Sequence, residues 1–170
     1  NVAVSGMTGD GTVTASLAAN VASDGAGNPS AASTSTDNTV TFDTTGPTVT
    51  INQAGAQADP TSGSPINFTV VFSESVANFA TGDVTLGGTA GATTQVVTGA
   101  GTTYNVAVSG MTADGTVIAS LAAGVATDAA GNPNAASTST DNTVTRDTTG
   151  PTVTINQAGA QADPTNGSPI

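Results

Sequence analysis

Twelve acidic side chains and a single basic one, with no histidine and no cysteine, limit the chemistry open to this 170-residue chain. Every acid except Glu74 is an aspartate, and most lie beside Gly, Asn or Thr in stretches that read as loops. Two such stretches, Asp128-Ala129-Ala130-Gly131-Asn132 and Thr140-Asp141-Asn142, crowd carboxylate, carboxamide and backbone carbonyl oxygens together, and Asp147 follows closely. Calcium takes roughly six to eight oxygen ligands of these kinds. The same residues also make turns, because Asp and Asn side chains bond to nearby backbone N–H groups. Calcium binding and turn-making both stay open at this level. The regular calcium loops are missing: there is no Asp-x-Asp-x-Asp-Gly run and no Gly-Gly-x-Gly-x-Asp run.

Catalysis finds no footing. A Ser or Thr nucleophile needs a base, and the chain holds neither His nor Lys to serve. A glycosidase needs two flanking carboxyl groups, yet Glu74 is the only Glu and aromatic residues to stack a sugar make up 3% of the chain. Gly87-Gly88 leads into no helical pattern, so no phosphate loop is formed. The expectation is a protein that is not an enzyme. Without cysteine there is neither a disulfide framework nor a thiolate metal site. A formal net charge of −11 argues against nucleic acid as a partner and against an anionic membrane surface. No apolar run approaches the ~18 residues that a membrane span requires.

The elements that carry these acids come from a long internal repeat. Asn1–Ile66 aligns without a gap to Asn105–Ile170, an offset of 104 residues. Only eight pairs differ: Gly9/Ala113, Thr14/Ile118, Asn20/Gly124, Ser23/Thr127, Gly25/Ala129, Ser30/Asn134, Phe42/Arg146 and Ser62/Asn166. Such a period exceeds the roughly 20–50 residues of solenoid units and matches one independently folding domain. Asp-Thr-Thr-Gly-Pro, at residues 43–47 and again at 147–151, is the natural joint, since Pro suits a strand edge or a domain entry. The expected division is therefore the C-terminal part of one repeat at 1–42, a complete repeat at 43–146, and the N-terminal part of the next at 147–170. Neither outer piece is expected to close a core alone. Either the array continues beyond both ends, or neighbouring chains complete the outer pieces.

Within 43–146 the apolar residues alternate. Ile66, Phe68, Val70 and Phe72 interleave with Asn67, Thr69 and Val71, and Tyr104, Val106 and Val108 with Asn105, Ala107 and Ser109. Period-two alternation of β-branched and aromatic residues marks half-buried strands and argues against disorder. The spacing predicts strands over Thr48–Asn52, Ile66–Phe72, a short piece near Val76, Val84–Leu86, Gln95–Thr98, Tyr104–Ser109, Val117–Leu121 and Ser137–Thr145, with Thr152–Ile155 opening the next repeat. Gly, Pro, Asp and Asn clusters separate them. About seven short strands in about 100 residues is the pattern of a Greek-key, immunoglobulin-like β-sandwich. The expected fold is thus all-β, a tandem of such domains without a disulfide.

Asp43-Thr44-Thr45-Gly46-Pro47-Thr48-Val49-Thr50-Ile51, Phe72-Ser73-Glu74-Ser75-Val76, Gly82-Asp83-Val84-Thr85-Leu86 and Asp128-Ala129-Ala130-Gly131-Asn132-Pro133 occur in that order across one repeat. Together they resemble the bacterial Ig-like repeats of giant surface adhesins and biofilm-associated proteins; Ser75 stands where many such repeats have Pro. The resemblance implies calcium as the cofactor, held near domain joints. It points to Glu74, Asp83, Asp128, Asn132, Asp141 and Asp147 as metal ligands, with Asp24, Asn28, Asp37 and Asp43 as their counterparts around the first joint. It further implies an extracellular or bacterial cell-surface location and a role as stalk or spacer in an adhesin. The neighbouring repeats of the same chain would be the partners. The alternative is a structural fibre or sheath, in which identical chains meet through β-strand contacts.

Two smaller features remain. Asn67-Phe68-Thr69 and Asn166-Gly167-Ser168 fit an N-glycosylation triplet, but chance explains them in a chain this rich in Ser and Thr. Phe42 and Arg146, each just before a joint, suggest a partly exposed strand end where the Arg stem covers apolar surface and varies a contact between domains.

Overall fold

The computed structural model describes residues 1–170 and contains strands but no helix. Its core lies within one repeat. Alternation sets the four-stranded sheet, which joins β3 (Val49–Gln53), β4 (Ile66–Phe72), β6 (Thr94–Ala100) and β7 (Thr103–Ser109) in the order β3-β4-β7-β6. Ile66, Phe68, Val70 and Phe72 face inward from β4, and Tyr104, Val106 and Val108 from β7, all buried. All pairings are antiparallel, with Phe68 opposite Val106 and Val70 opposite Tyr104. Facing this sheet is a three-stranded one, β5 (Val84–Gly87), β8 (Gly115–Leu121) and β9 (Thr143–Arg146), in the order β5-β8-β9. It contributes Val84, Val117, Ala119, Leu121 and Val144 to the same apolar cluster. Burying about a dozen such side chains is the main driving force for closing the two layers. The fold is the all-β sandwich expected from the strand pattern.

Phe72, Phe79 and Tyr104 meet edge to face, with ring centroids 5.0–5.9 Å apart. That geometry suits the ring quadrupoles. The Tyr104 hydroxyl also donates to the Val76 carbonyl at 3.4 Å. The aromatic triad therefore pins the segment 73–79, which carries Glu74, onto the end of the sandwich.

Three strand expectations need correction. Ser137–Thr145 is not one strand. Thr138 bridges Thr50 of the four-stranded sheet, and β9 begins only at Thr143 in the other sheet. The crossing falls at Ser139–Asp141, where the Asn52 carboxamide oxygen accepts from Ser139 Oγ (3.0 Å) and from the N–H groups of Thr140 (3.0 Å) and Asp141 (3.1 Å). These side-chain bonds replace ladder bonds and turn the chain. Near Val76 there is only a single bridge, Ala77 to Thr127, because the loop there follows the aromatic triad rather than a ladder. Thr152–Ile155 forms no strand, and Val153 and Ile155 are exposed. Its counterpart β3, by contrast, is held by β4 and by residues 135–141.

Residues 1–42 form a separate two-stranded sheet of β1 (Gly11–Thr14) and β2 (Thr39–Phe42), the counterparts of parts of β8 and β9. Val2, Val4 and Val40 are exposed there, whereas their counterparts Val106, Val108 and Val144 are fully buried in the complete repeat.

Candidate functional site

The joint Asp43–Pro47 is held from both sides. Behind it, Asp10, just before β1, receives bonds on its carboxylate from the joint threonines. Oδ1 accepts the Thr44 N–H at 2.8 Å and the Thr44 hydroxyl at 2.7 Å, and Oδ2 accepts the Thr45 hydroxyl. Ahead of it, the loop Asp128–Pro133 of the complete repeat closes over the joint. Asn132 Nδ2 donates to the Asp43 carbonyl at 3.2 Å, and the Ala135 N–H donates to the Pro47 carbonyl at 2.9 Å. A Cβ placed on Gly46 would sit 2.0 Å from the Pro133 carbonyl oxygen, so only glycine permits this approach.

The second joint repeats the rear clasp. Asp114 Oδ1 accepts the Thr148 N–H at 2.9 Å and its hydroxyl at 2.6 Å, while Oδ2 accepts the Thr149 hydroxyl at 2.6 Å. Thr61 adds a backbone brace, accepting the Asp147 N–H and donating to the Thr145 carbonyl, each at 2.9 Å. The Thr148 and Thr149 hydroxyls and the Thr148 N–H hold the Asp114 carboxyl down at about 2, with a smaller contribution from Arg146. Asp10 is lowered for the same reason, led by Thr45 and then Thr44. Bonds to the charged form favour it. Arg146 Nη1 lies 3.7 Å from Asp114 Oδ1 and donates to the Ala113 carbonyl at 2.8 Å. Phe42 takes the equivalent place at the first joint, where Asp10 makes the same three bonds, so the clasp forms without a neighbouring cation.

Among the proposed metal ligands, the structure brings Asp43, Glu74 and Asp128 together, with one carboxylate oxygen from each lying within 4.8 Å of the others. Three segments far apart in sequence supply them: the joint, the loop after β4, and the turn after β8. Asp128 is 5% exposed. Burial raises its pKa, but bonds from the Asn132 side chain and from the N–H groups of Asn132, Ala130 and Gly131 outweigh that, and the net shift is downward. Glu74 moves the other way. Burial raises it first, then the charges of Asp128 and Asp43. The cluster therefore stores negative charge that a cation would neutralise. Carboxylate oxygens gathered this closely are hard donors of the kind that divalent cations take. Asn132 reaches the cluster through its amide nitrogen, which donates to Asp128 Oδ2 at 2.9 Å, so in this arrangement it orients the Asp128 carboxylate.

The other proposed ligands lie elsewhere. Asp83 accepts the Ala80 N–H at 2.7 Å and closes a turn. Asp24 and Asn28 reproduce the Asp128–Asn132 turn, with Asp24 lowered mainly by the Asn28 side chain. Asp37 is exposed beside Ser35. Asp141 is exposed on the Asn52-bound loop. Asp147, the counterpart of Asp43, accepts the Thr149 N–H at 3.0 Å. Sequence reasoning missed Asp10 and Asp114. Paired Asp-Gly steps read as turns, and their partners lie 34 and 35 residues on. The available signal was Thr-Thr at each joint, which offers several N–H and O–H donors in need of an acceptor.

Residues 43–145 match the family described as bacterial Ig-like domain. No curated protein and no solved structure matches the chain.

Proposed function

Because the chain belongs to the bacterial Ig-like domain family, we propose that it is a non-catalytic extracellular spacer: a run of sandwich domains, 43–146 being the complete one, that carries a separate binding element away from a bacterial cell surface. Domains of this family are commonly extracellular or surface-associated, and no helix in the chain is long and apolar enough to cross a membrane. The observation that carries the proposal is the duplicated clasp, Asp10 on Thr44 and Thr45 and Asp114 on Thr148 and Thr149. Each joint is five residues long, contains Pro, and is bonded to the domain before it, unlike a swinging Gly/Ser tether. Such a joint converts repeat number into distance. A net charge of −11 adds solubility and self-repulsion along the array.

Calcium is the cation that best suits Asp43, Glu74 and Asp128. The three carboxylates would hold it, backbone carbonyls and water would complete its shell, and the Asn132 amide would keep Asp128 in place. Its role there would be structural, because a ligand that binds only the folded state stabilises that state by mass action.

Thermal unfolding with calcium and with excess chelator, alongside mass in solution, tests both statements. A monomer whose midpoint rises with calcium supports the metal-stiffened spacer. A monomer without a calcium response removes the metal and leaves the spacer. Self-association into fibres would favour lateral or end-to-end assembly of identical chains instead.

A further inference from the structure

We infer that the Arg146–Asp147 peptide bond is a gated cleavage site for an arginine-specific endopeptidase, closed while the second joint is braced and opened when that joint loosens. Arg146 is the only Lys or Arg among the 170 residues. An endopeptidase whose specificity pocket ends in an aspartate therefore has one bond to read in this chain. That bond falls where a repeat ends. The last strand, β9, closes at Arg146, and the buried apolar core of the complete repeat lies within Val49–Val144. Hydrolysis adds one water across the bond, leaving a carboxylate on Arg146 and an ammonium on Asp147, and takes no core residue from the repeat. At the first joint Phe42 holds this position, so two joints of identical Asp-Thr-Thr-Gly-Pro sequence differ in whether such a peptidase can read them.

The bond lies at the surface but is tied down on every side. Asp147 is exposed, while the Arg146 side chain is only 19% exposed. Its Nη1 donates to the Ala113 carbonyl at 2.8 Å and its Nε is buried, so the group a peptidase must grasp is folded against the domain. The backbone is occupied along both edges. Arg146 stands opposite Gly115 of β8 on one edge, and Thr61 forms a parallel bridge to it on the other. Asp59 Oδ1 accepts the Thr145 N–H at 2.8 Å. The Thr61 N–H donates to the Thr145 carbonyl, and the Thr61 carbonyl accepts the N–H of Asp147, which is the N–H of the scissile bond itself, each at 2.9 Å. Beyond the bond, Asp114 holds Thr148 and Thr149. A peptidase takes its substrate as an extended strand with the arginine in its pocket, so these bonds have to be given up first. They are few and lie at the outer end of a strand, where local opening costs less than unfolding the core. Asp59 is the gate that can be altered by itself: it contributes one side-chain bond and belongs neither to the metal cluster nor to the clasps.

The test is limited digestion of the full chain with trypsin, read by mass as the fragments 1–146 and 147–170, beside a synthetic peptide of residues 143–150 that has the same bond and none of its braces. Proteolysis of a transiently opened segment follows the population of the open form. The chain is expected to be cut at this bond at least about a hundredfold more slowly than the peptide, and fragment 1–146 to keep the strand content and urea midpoint of the parent. Asp59→Ala should raise the cutting rate about tenfold, the worth of a hydrogen bond to a charged group, and Asp59→Asn, which keeps the acceptor oxygen, should stay within about threefold of the parent. Val97→Ala, on β6 and packed against the core, should lower the urea midpoint and leave the cutting rate unchanged. A chain cut as fast as the peptide, a chain not cut at all, an Asp59→Ala chain cut at the parental rate, or a Val97→Ala chain cut faster in step with its lost stability would each overturn the inference. Detachment of whatever an array carries beyond this joint is the consequence, and it rests on the spacer reading. The cleavage itself does not, and the spacer reading fails separately, by self-association of the uncut chain.

Discussion

Asp114 receives the backbone N–H and the hydroxyl of Thr148 on a single carboxylate oxygen, at 2.9 and 2.6 Å, across what sequence alone marks as a domain boundary. The same pair recurs as Asp10 and Thr44, at 2.8 and 2.7 Å. Two copies in one chain supply an internal control. Replacing Asp114 with Ala removes the acceptor at the second joint only. Amide exchange at Thr148 should accelerate at least about tenfold, while Thr44 keeps its protection. The chain should retain its strand content, since Asp114 contributes nothing to the apolar core. Equal acceleration at both joints would show that the threonines are protected by something other than their own clasp.

The clasp should also be acid-resistant. The Asp114 carboxyl is held at about 2, below its ordinary 3.8, by the Thr148 and Thr149 hydroxyls first and the Thr148 N–H next. A depressed pKa means that the folded state binds the proton less readily than the unfolded chain. The stabilisation is thus complete above about 3.8 and fades as pH falls toward about 2. Following the Thr148 amide resonance with pH should show a midpoint near 2, with no transition between pH 5 and 8. Asp10 should titrate below the ordinary carboxylate range as well.

Glu74 carries the opposite sign. Burial and the charges of Asp128 and Asp43 raise its pKa above 4.5. Through the window between the ordinary and the raised value the folded state holds more protons, so stability drops as pH increases. In chelator at neutral pH, Glu74→Gln should therefore raise the unfolding midpoint by removing a repelled charge. If calcium binds the cluster, the same substitution should abolish most of the calcium-dependent gain, and the two curves should cross. A fall in midpoint in chelator would mean that the Glu74 carboxylate makes a stabilising contact absent from this arrangement.

Gly46 and Gly150 are the same residue of successive joints in different surroundings. A Cβ at Gly46 would overlap the Pro133 carbonyl oxygen at 2.0 Å, whereas one at Gly150 meets nothing within 4 Å. Forcing the joint off the Asp128–Pro133 loop should cost about 1–3 kcal/mol, as overpacking of a fixed contact generally does. Urea unfolding of Gly46→Ala and Gly150→Ala reads this directly, with the second expected to stay within about 0.5 kcal/mol of the parent.

The sandwich was legible in the sequence where one face of a strand is buried. Ile66 to Phe72 and Tyr104 to Ser109 announce their inward sides by alternation, because a one-residue slip would expose every apolar side chain they carry. The last strand was not legible. Asp141 and Asn142, poor strand formers, mark a break within Ser137 to Thr145, but that the chain changes sheets there depends on Asn52, some 87 residues earlier. The acidic cluster was half legible. Glu74, Asp128 and Asp43 were each candidates for calcium, but the sequence placed them in separate loops and gave equal standing to Asp83 and Asp37. Bringing three distant loops to one end of the sandwich is a consequence of sheet topology, which local patterning does not encode. The clasps were hidden for the same reason: Asp114 satisfies every local criterion for a turn residue, and its partners lie across the joint.

The central claim is that clasped joints make the repeats add up to length. Small-angle scattering from chains of two, four and six consecutive copies of the 104-residue repeat tests it most directly. Extended addition predicts a maximum dimension that grows linearly by roughly 35–45 Å per copy, the reach of strands of about eight residues plus their loops, and that falls below the line when every clasp aspartate is replaced by Ala. Growth with the square root of copy number in the unaltered chain, as for a flexible tether, would contradict it.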